Sequence, residues 1–228
     1  QFVLVLIGTF MIALVLTPLV RLFSFKIDAV DYPNARRINT KPMPSAGGLS
    51  IVIAFSIATL IFIPMLTSTT APIKSYLSYT LPVVGAGWII ALTGLIDDVK
   101  ELSAKKKMIG ILLAASLVWF LTDFRLNDFK IPFGGPLLHF EPWLSYLLTV
   151  IWIVAITNAV NLIDGLDGLV SGVSIISLVT MGIVSYFFLP VPNLFLTMTI
   201  FVLVASIAGF FPFNYHPAIL YLGDTGAL

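Results

Sequence analysis

Cysteine is absent from this 228-residue chain, and charge is scarce: 10% of residues are Asp, Glu, Lys or Arg, against 59% hydrophobic. The first absence excludes a disulfide framework and any thiolate metal site. The second excludes an ordinary soluble globule, which carries roughly 25% charged residues. With a mean hydropathy of +1.06, the chain falls in the membrane class. A net charge of +1 supplies no bulk field to gather nucleic acid, so no nucleic-acid partner is expected. Repeats, low-complexity stretches and a soluble domain boundary are also missing, so residues 1–228 read as a single transmembrane domain. The chain starts at Gln1 and stops just after a polar motif, so it is expected to be C-terminally incomplete. The first apolar run is too long for a signal-peptide core and lacks a cleavage site behind it, so it reads as a span.

What is present is length of apolar sequence. A bilayer core needs about 20 apolar residues per helix, and segments 2–23, 48–66, 79–96, 107–122, 143–162, 169–189 and 194–213 approach that. They are too long and too uniformly apolar for barrel strands, and backbone amides in lipid must pair within their own segment. The expected fold is therefore all-α, a polytopic integral membrane protein with about seven transmembrane helices. Loops alternate sides. Arg21, Lys26, Arg36, Arg37, Lys41, Lys100, Lys105, Lys106 and Lys107 fall on one side, and Lys74, Arg125 and Lys130 on the other. Basic loops stay in the cytoplasm, which predicts an outside N-terminus.

The same count puts four polar clusters on the cytoplasmic side: Asp31 to Gly48, Asp97-Asp98, Asn158 to Gly168, and Asn214 to Gly226. Of the eleven acidic residues, Asp28, Asp31, Asp97, Asp98, Glu101, Asp164, Asp167 and Asp224 lie in or beside them. Adjacent acids at a helix C-terminus oppose the macrodipole and repel each other unless a cation is near; Mg²⁺ suits a few carboxylates plus phosphate oxygens. Lys107, beside a span, is a phosphate candidate, and Lys105 and Lys106 read as positive-inside anchors. Asn158, Asn161 and Asp164 recur close to one helix face, and polar groups at membrane depth are functional by default. Asp224 sits between glycines. His216, before Pro217, reads as a simple loop residue. Arg36, Arg37 and Lys41 offer phosphate donors. The outer-loop His139 and Glu141 read as rim residues. Carboxylates facing basic groups on one membrane face point to a metal-dependent site for a substrate that is half lipid and half water-soluble. A transporter or flippase is the rival reading, but transporters place charges near the midplane, often in paired repeats.

Taken in order, DYPNARRINTKPMPSAGG, LIDDVKELSAKKK, NAVNLIDGLDGL and NYHPAILYLGDTGAL resemble the polyprenyl-phosphate N-acetylhexosamine-1-phosphate transferase family. The first loop is similar to the GlcNAc-1-phosphate branch, especially the enzymes that start teichoic acid synthesis, although Asn39 stands where that branch usually has His. The phospho-MurNAc-pentapeptide transferases of peptidoglycan synthesis are the alternative within the family. The resemblance implies ten or eleven spans in a full-length member, with a histidine-bearing loop in the later part.

It also implies a reaction between UDP-GlcNAc and undecaprenyl phosphate, giving undecaprenyl-diphospho-GlcNAc and UMP at the cytoplasmic face of a bacterial plasma membrane. Mg²⁺, or Mn²⁺ in its place, is the implied cofactor, and a homodimer is admitted. Asp224 is the implied leading metal ligand, with Asp97 and Asp98 beside it; these three are also the catalytic candidates, Asp97 toward the lipid phosphate. Asn161, Asp164 and Asp167 fall on the nucleotide side. Tyr221 matches a position stacked on uracil, worth about 1–3 kcal/mol by analogy with base–aromatic contacts. Lys41 and Lys107 are the implied phosphate contacts. A phosphate second pKa is near 6, so the nucleophile is mostly ionised at neutral pH and a strong base is not needed.

Overall fold

The computed structural model describes residues 1–33, 41–67, 73–189 and 193–228. Helices dominate them: α1 (Phe2–Lys26), α2 (Gly48–Ile57), which runs through a π turn at Ala58–Phe62 into α3 (Ile63–Thr67), α4 (Ile73–Lys100), α5 (Ala104–Leu121), α6 (Pro142–Ile163), α7 (Leu169–Phe187), α8 (Leu194–Asn214) and the one-turn α9 (Asp224–Ala227). Two small antiparallel ribbons accompany them. β1 (Val30–Asp31) pairs with β2 (Met43–Pro44), and β3 (Asp128–Lys130) pairs with β4 (Leu137–His139).

Among the described residues, six helices are long and apolar enough to cross a membrane: Phe2–Lys26, Gly48–Met65, Tyr76–Lys100, Pro142–Ile163, Leu169–Phe187 and Leu194–Asn214. The chain is thus a polytopic α-helical membrane protein. The expected seventh span, 107–122, corresponds to α5. It packs against α4 and α6, but it has only 18 residues and begins Ala-Lys-Lys-Lys. Those ammonium groups shorten its apolar length below that of its neighbours.

Helix α8 lies at the centre, packed on α1, α2 and α7. Small residues allow its approach to α1: a Cβ on Gly209 would lie 2.4 Å from the Phe10 carbonyl oxygen. Close backbone approach over small residues replaces the hydrophobic drive that lipid-embedded helices lack. The buried hydroxyls of Thr9 and Thr17 on α1 bond back to carbonyls one turn earlier, each at 2.7 Å, which satisfies them without water. The π turn is tied across helices by Tyr76, whose buried hydroxyl donates to the Thr59 carbonyl at 2.9 Å.

One apolar cluster, Val20, Ile51, Val170, Ile207, Phe210, Leu220, Leu222 and Ala227, fixes the segment after α8 against the bundle. That segment folds back on β2: the Tyr221 amide donates to Pro44, and the Gly47 and Gly48 amides donate to the carbonyls of Tyr221 and Leu222. Helix α9 then enters a gap lined by glycine. A Cβ on Gly94 would meet the Asp224 carbonyl at 2.2 Å, and one on Gly48 would meet Gly226 at 2.3 Å. The C-terminal ends of α4, α6 and α8 and the start of α5 therefore meet at one end of the bundle. The β3–β4 hairpin caps the other ends of α5 and α6.

Candidate active site

The acidic pair at the end of α4 separates into two uses. Successive helix residues point about 100° apart, and the pair meets different partners. Asp98 is turned to α9. One of its oxygens accepts the Asp224 amide at 2.9 Å; the other accepts the Thr225 amide at 3.1 Å and the Thr225 hydroxyl at 2.5 Å. Gly223 makes this docking reachable: its φ is +69, and a Cβ there would lie 1.9 Å from the Ser45 carbonyl and 2.7 Å from Asp98. Asp98 is thus the clasp that holds the Asp224 backbone.

Asp97 faces the open side. One oxygen accepts the Leu102 amide at 2.6 Å, which shapes the α4–α5 turn. The other meets the Lys107 ammonium at 2.6 Å. Lys107 also donates to Asp224, so a single ammonium sits between carboxylates from α4 and α9. The other oxygen of Asp224 accepts from the side-chain amide of Asn161, near the end of α6, at 2.5 Å. Burial pushes the Asp224 carboxyl up; the hydrogen bonds from Lys107 and Asn161 outweigh that and hold it below the usual carboxylate value. Asp164, just past α6, goes the other way. Burial, and then the charge of Asp224, raise it to about 6.

These groups border an open cleft of about 960 Å³. Of the residues singled out in the sequence, Asp97, Asp98, Asp224, Lys41, Asn161, Asp164, Asp167 and Tyr221 all line it, and Lys107 bridges two of them. Asn158 does not line the cleft; its amide donates to the Val154 carbonyl of its own helix at 2.8 Å. Arg36, Arg37 and Asn39 lie outside the described residues. His216 lies in the loop after α8, as expected, and has a partner the sequence did not suggest. Its ring lines the cleft, with Nδ1 2.9 Å from Asp167, whose same oxygen accepts the Ala218 amide at 3.0 Å. The 49-residue separation hid that pairing; the only sequence signal was a histidine and an acid in clusters already assigned to one face.

No group of three acidic or histidine side chains among the described residues is arranged as a ready metal cage. What the site does contain is a carboxylate pair that draws one cation between its members, with an amide beside it. That donor set fits Mg²⁺, which binds through one or two carboxylates and keeps other positions for water and phosphate.

The fold and site define a multi-pass helical membrane protein with a polar cleft of acids and a shared lysine at its helix ends. Residues 80–228 match Glycosyl transferase family 4, and the chain belongs to that family. It is 38% identical over 229 residues to a Bacillus subtilis protein named Probable undecaprenyl-phosphate N-acetylglucosaminyl 1-phosphate transferase, a match covering 100% of this chain and 60% of the relative. It is 32% identical to the decaprenyl-phosphate N-acetylglucosaminephosphotransferase of Mycolicibacterium smegmatis, over 92% of this chain and 52% of the relative. It is 34% identical to the phospho-N-acetylmuramoyl-pentapeptide-transferase of Staphylococcus saprophyticus, over 99% of this chain and 71% of the relative. The chain therefore spans 52% to 71% of the length of these relatives.

Proposed function

We propose that this chain carries the donor and phosphate site of an enzyme that transfers GlcNAc-1-phosphate from UDP-GlcNAc to undecaprenyl phosphate, releasing UMP, as a first membrane step toward a cell-wall polymer such as teichoic acid. The observation that carries the reading is Lys107 held between Asp97 and Asp224 at the edge of a cleft large enough for a nucleotide-sugar. In the reaction an oxygen of the prenyl phosphate attacks the sugar-linked phosphorus of the diphosphate. A new P–O bond forms, the bond to the bridging oxygen breaks, and UMP departs with that electron pair. Two anions must approach, so positioning and charge neutralisation are the main work of the protein.

Asp224 and Asp97 would hold a Mg²⁺ ion, which when bound neutralises diphosphate charge. Lys107, which those two carboxylates hold at the edge of the cleft, would meet a phosphate oxygen of the substrate. Asn161 keeps Asp224 oriented. Asp98, whose two oxygens hold α9, would serve by positioning Asp224. Tyr221, Asp164 and Asp167 serve the nucleotide side, and Lys41 a phosphate. The bias of basic loops supports a cytoplasmic placement for this end of the bundle.

The test is UMP release by the purified full-length protein with undecaprenyl phosphate and each of UDP-GlcNAc and UDP-MurNAc-pentapeptide. Turnover with UDP-GlcNAc that stops on chelation and returns with Mg²⁺ is the expected result. Turnover restricted to the pentapeptide donor would move the chain to the peptidoglycan branch, a reading the Staphylococcus saprophyticus relative keeps in view. Full activity after exhaustive chelation would remove the metal.

A further inference from the structure

The chain has two histidines, and each is paired with an aspartate, but in different settings. His139 meets Asp128 across the β3–β4 hairpin, with side chains 73% and 52% exposed, and neither residue lines the cleft described above. Exposed pairs of that kind contribute little. His216 is also an exposed side chain, at 80%, but its partner Asp167 is only 23% exposed. Asp167 is itself fixed: the oxygen that meets the ring also accepts the Ala218 amide, which ties the turn after α6 to the loop after α8.

This geometry determines what the ring can offer. A carboxylate on Nδ1 selects the tautomer that carries its proton there. Nε2 is then left as an acceptor, on a ring that borders the cleft. An exposed imidazole would otherwise turn freely, and holding it in advance lowers the ordering cost when a ligand arrives. The anion-handling groups, Asp97, Lys107 and Asp224, are grouped around α4, α5 and α9; His216 and Asp167 belong to the α6–α7 turn and the loop after α8.

We infer that His216 is a binding residue for the nucleoside part of the donor, accepting a hydrogen bond from a hydroxyl or ring N–H through Nε2, with Asp167 as its positioning residue. This rests on the nucleotide-sugar reading above. The experiment compares the full-length parent with His216→Phe, His216→Gln, Asp167→Asn, the Asp167→Asn/His216→Phe double variant, and His139→Phe as control. Loss of one such bond raises KM for UDP-GlcNAc about 5-fold in His216→Phe, with kcat within about twofold and KM for undecaprenyl phosphate unchanged. His216→Gln recovers part of the loss, since its amide also presents an acceptor. Asp167→Asn raises the donor KM alone and adds nothing in the double variant, as expected of a residue acting through the ring. His139→Phe matches the parent. An unchanged donor KM in His216→Phe, an equal rise in His139→Phe, or a loss confined to kcat overturns the assignment. Should the parent release no UMP from UDP-GlcNAc, the transfer reading falls on its own, and UMP affinity decides the inference. Weaker UMP binding by His216→Phe than by the parent sustains it. Equal binding, or none by the parent, refutes it.

Discussion

The joint where α9 docks and the mouth formed by the 164–168 turn and the 215–218 loop border the same cleft but are built on opposite terms. At the joint, backbone meets backbone through Gly48, Gly94 and Gly223, and Asp98 accepts three hydrogen bonds. At the mouth, Leu162, Leu166 and Tyr215 are exposed, and one oxygen of Asp167 holds the loop. The difference separates precision from adaptability. The Asp224 carboxylate must stand at a fixed point relative to Asp97, so its backbone is clamped. At the mouth the cleft is bordered by side chains carried on turns, and a single carboxylate oxygen ties those turns together.

The largest expected effect tests the clamped carboxylates. Asp224→Asn and Asp97→Asn lower turnover by about 10²–10³ or more, the scale seen when a positioned charge-stabilising group is removed. Folded yield and melting temperature stay near the parent's, because the clasp of Asp98 on α9 is intact in both. Single-turnover UMP release on purified protein, read beside a melting curve, measures both quantities. Turnover near the parent's in both variants would remove these residues from the chemistry.

Next in size is the clasp. Asp98→Ala leaves two amides and a hydroxyl without their acceptor, at a cost on the order of 2–4 kcal/mol. Asp98→Asn keeps one acceptor oxygen and loses less. The Mg²⁺ concentration for half-maximal activity separates clasp from ligand: it stays at the parent's value in Asp98→Asn and rises in Asp97→Asn. A rise of the same size in Asp98→Asn would make Asp98 a coordinating residue and dissolve the contrast between the two neighbours.

That contrast shows where reading the sequence stops. The spans were legible because apolar length is a one-dimensional property, and the gathering of Asp97, Lys107, Asn161 and Asp224 followed from counting which loops share a side. Which of two adjacent acids meets Lys107 and which holds α9 was not legible. It depends on how α4 is rotated, and that is set by α9 arriving over Gly94, 130 residues later in the chain. The face expected to join Asn158, Asn161 and Asp164 breaks for a local reason: α6 ends at Ile163, so Asp164 leaves the helical register, while Asn158 lies a turn deeper and bonds to its own backbone. The shortfall of α5 as a span was visible in Lys105, Lys106 and Lys107 once their positions inside the helix were known. His216 was missed because a pairing across loops has no local pattern.

The smallest effect sits between the two regions, at Asp164. Its folded carboxyl, raised to about 6 from an ordinary 3.8, binds its proton more tightly than the unfolded chain does. Its contribution therefore favours the fold below 3.8 and is lost as pH rises through about 6. Above that, a buried negative charge near Asp224 is maintained at a cost on the order of 1–2 kcal/mol, discounted for partial exposure to water. Asp164→Asn removes the cost. At pH 8 the variant should melt a few degrees above the parent, and the gap should close as pH falls toward 4. If the proposed function holds, the same variant should also be a poorer enzyme at pH 8, because Asp164 lines the cleft. A melting gap that does not change with pH, or a variant less stable than the parent at pH 8, would mean that the Asp164 charge is satisfied within the fold, and would return it to the clamped region.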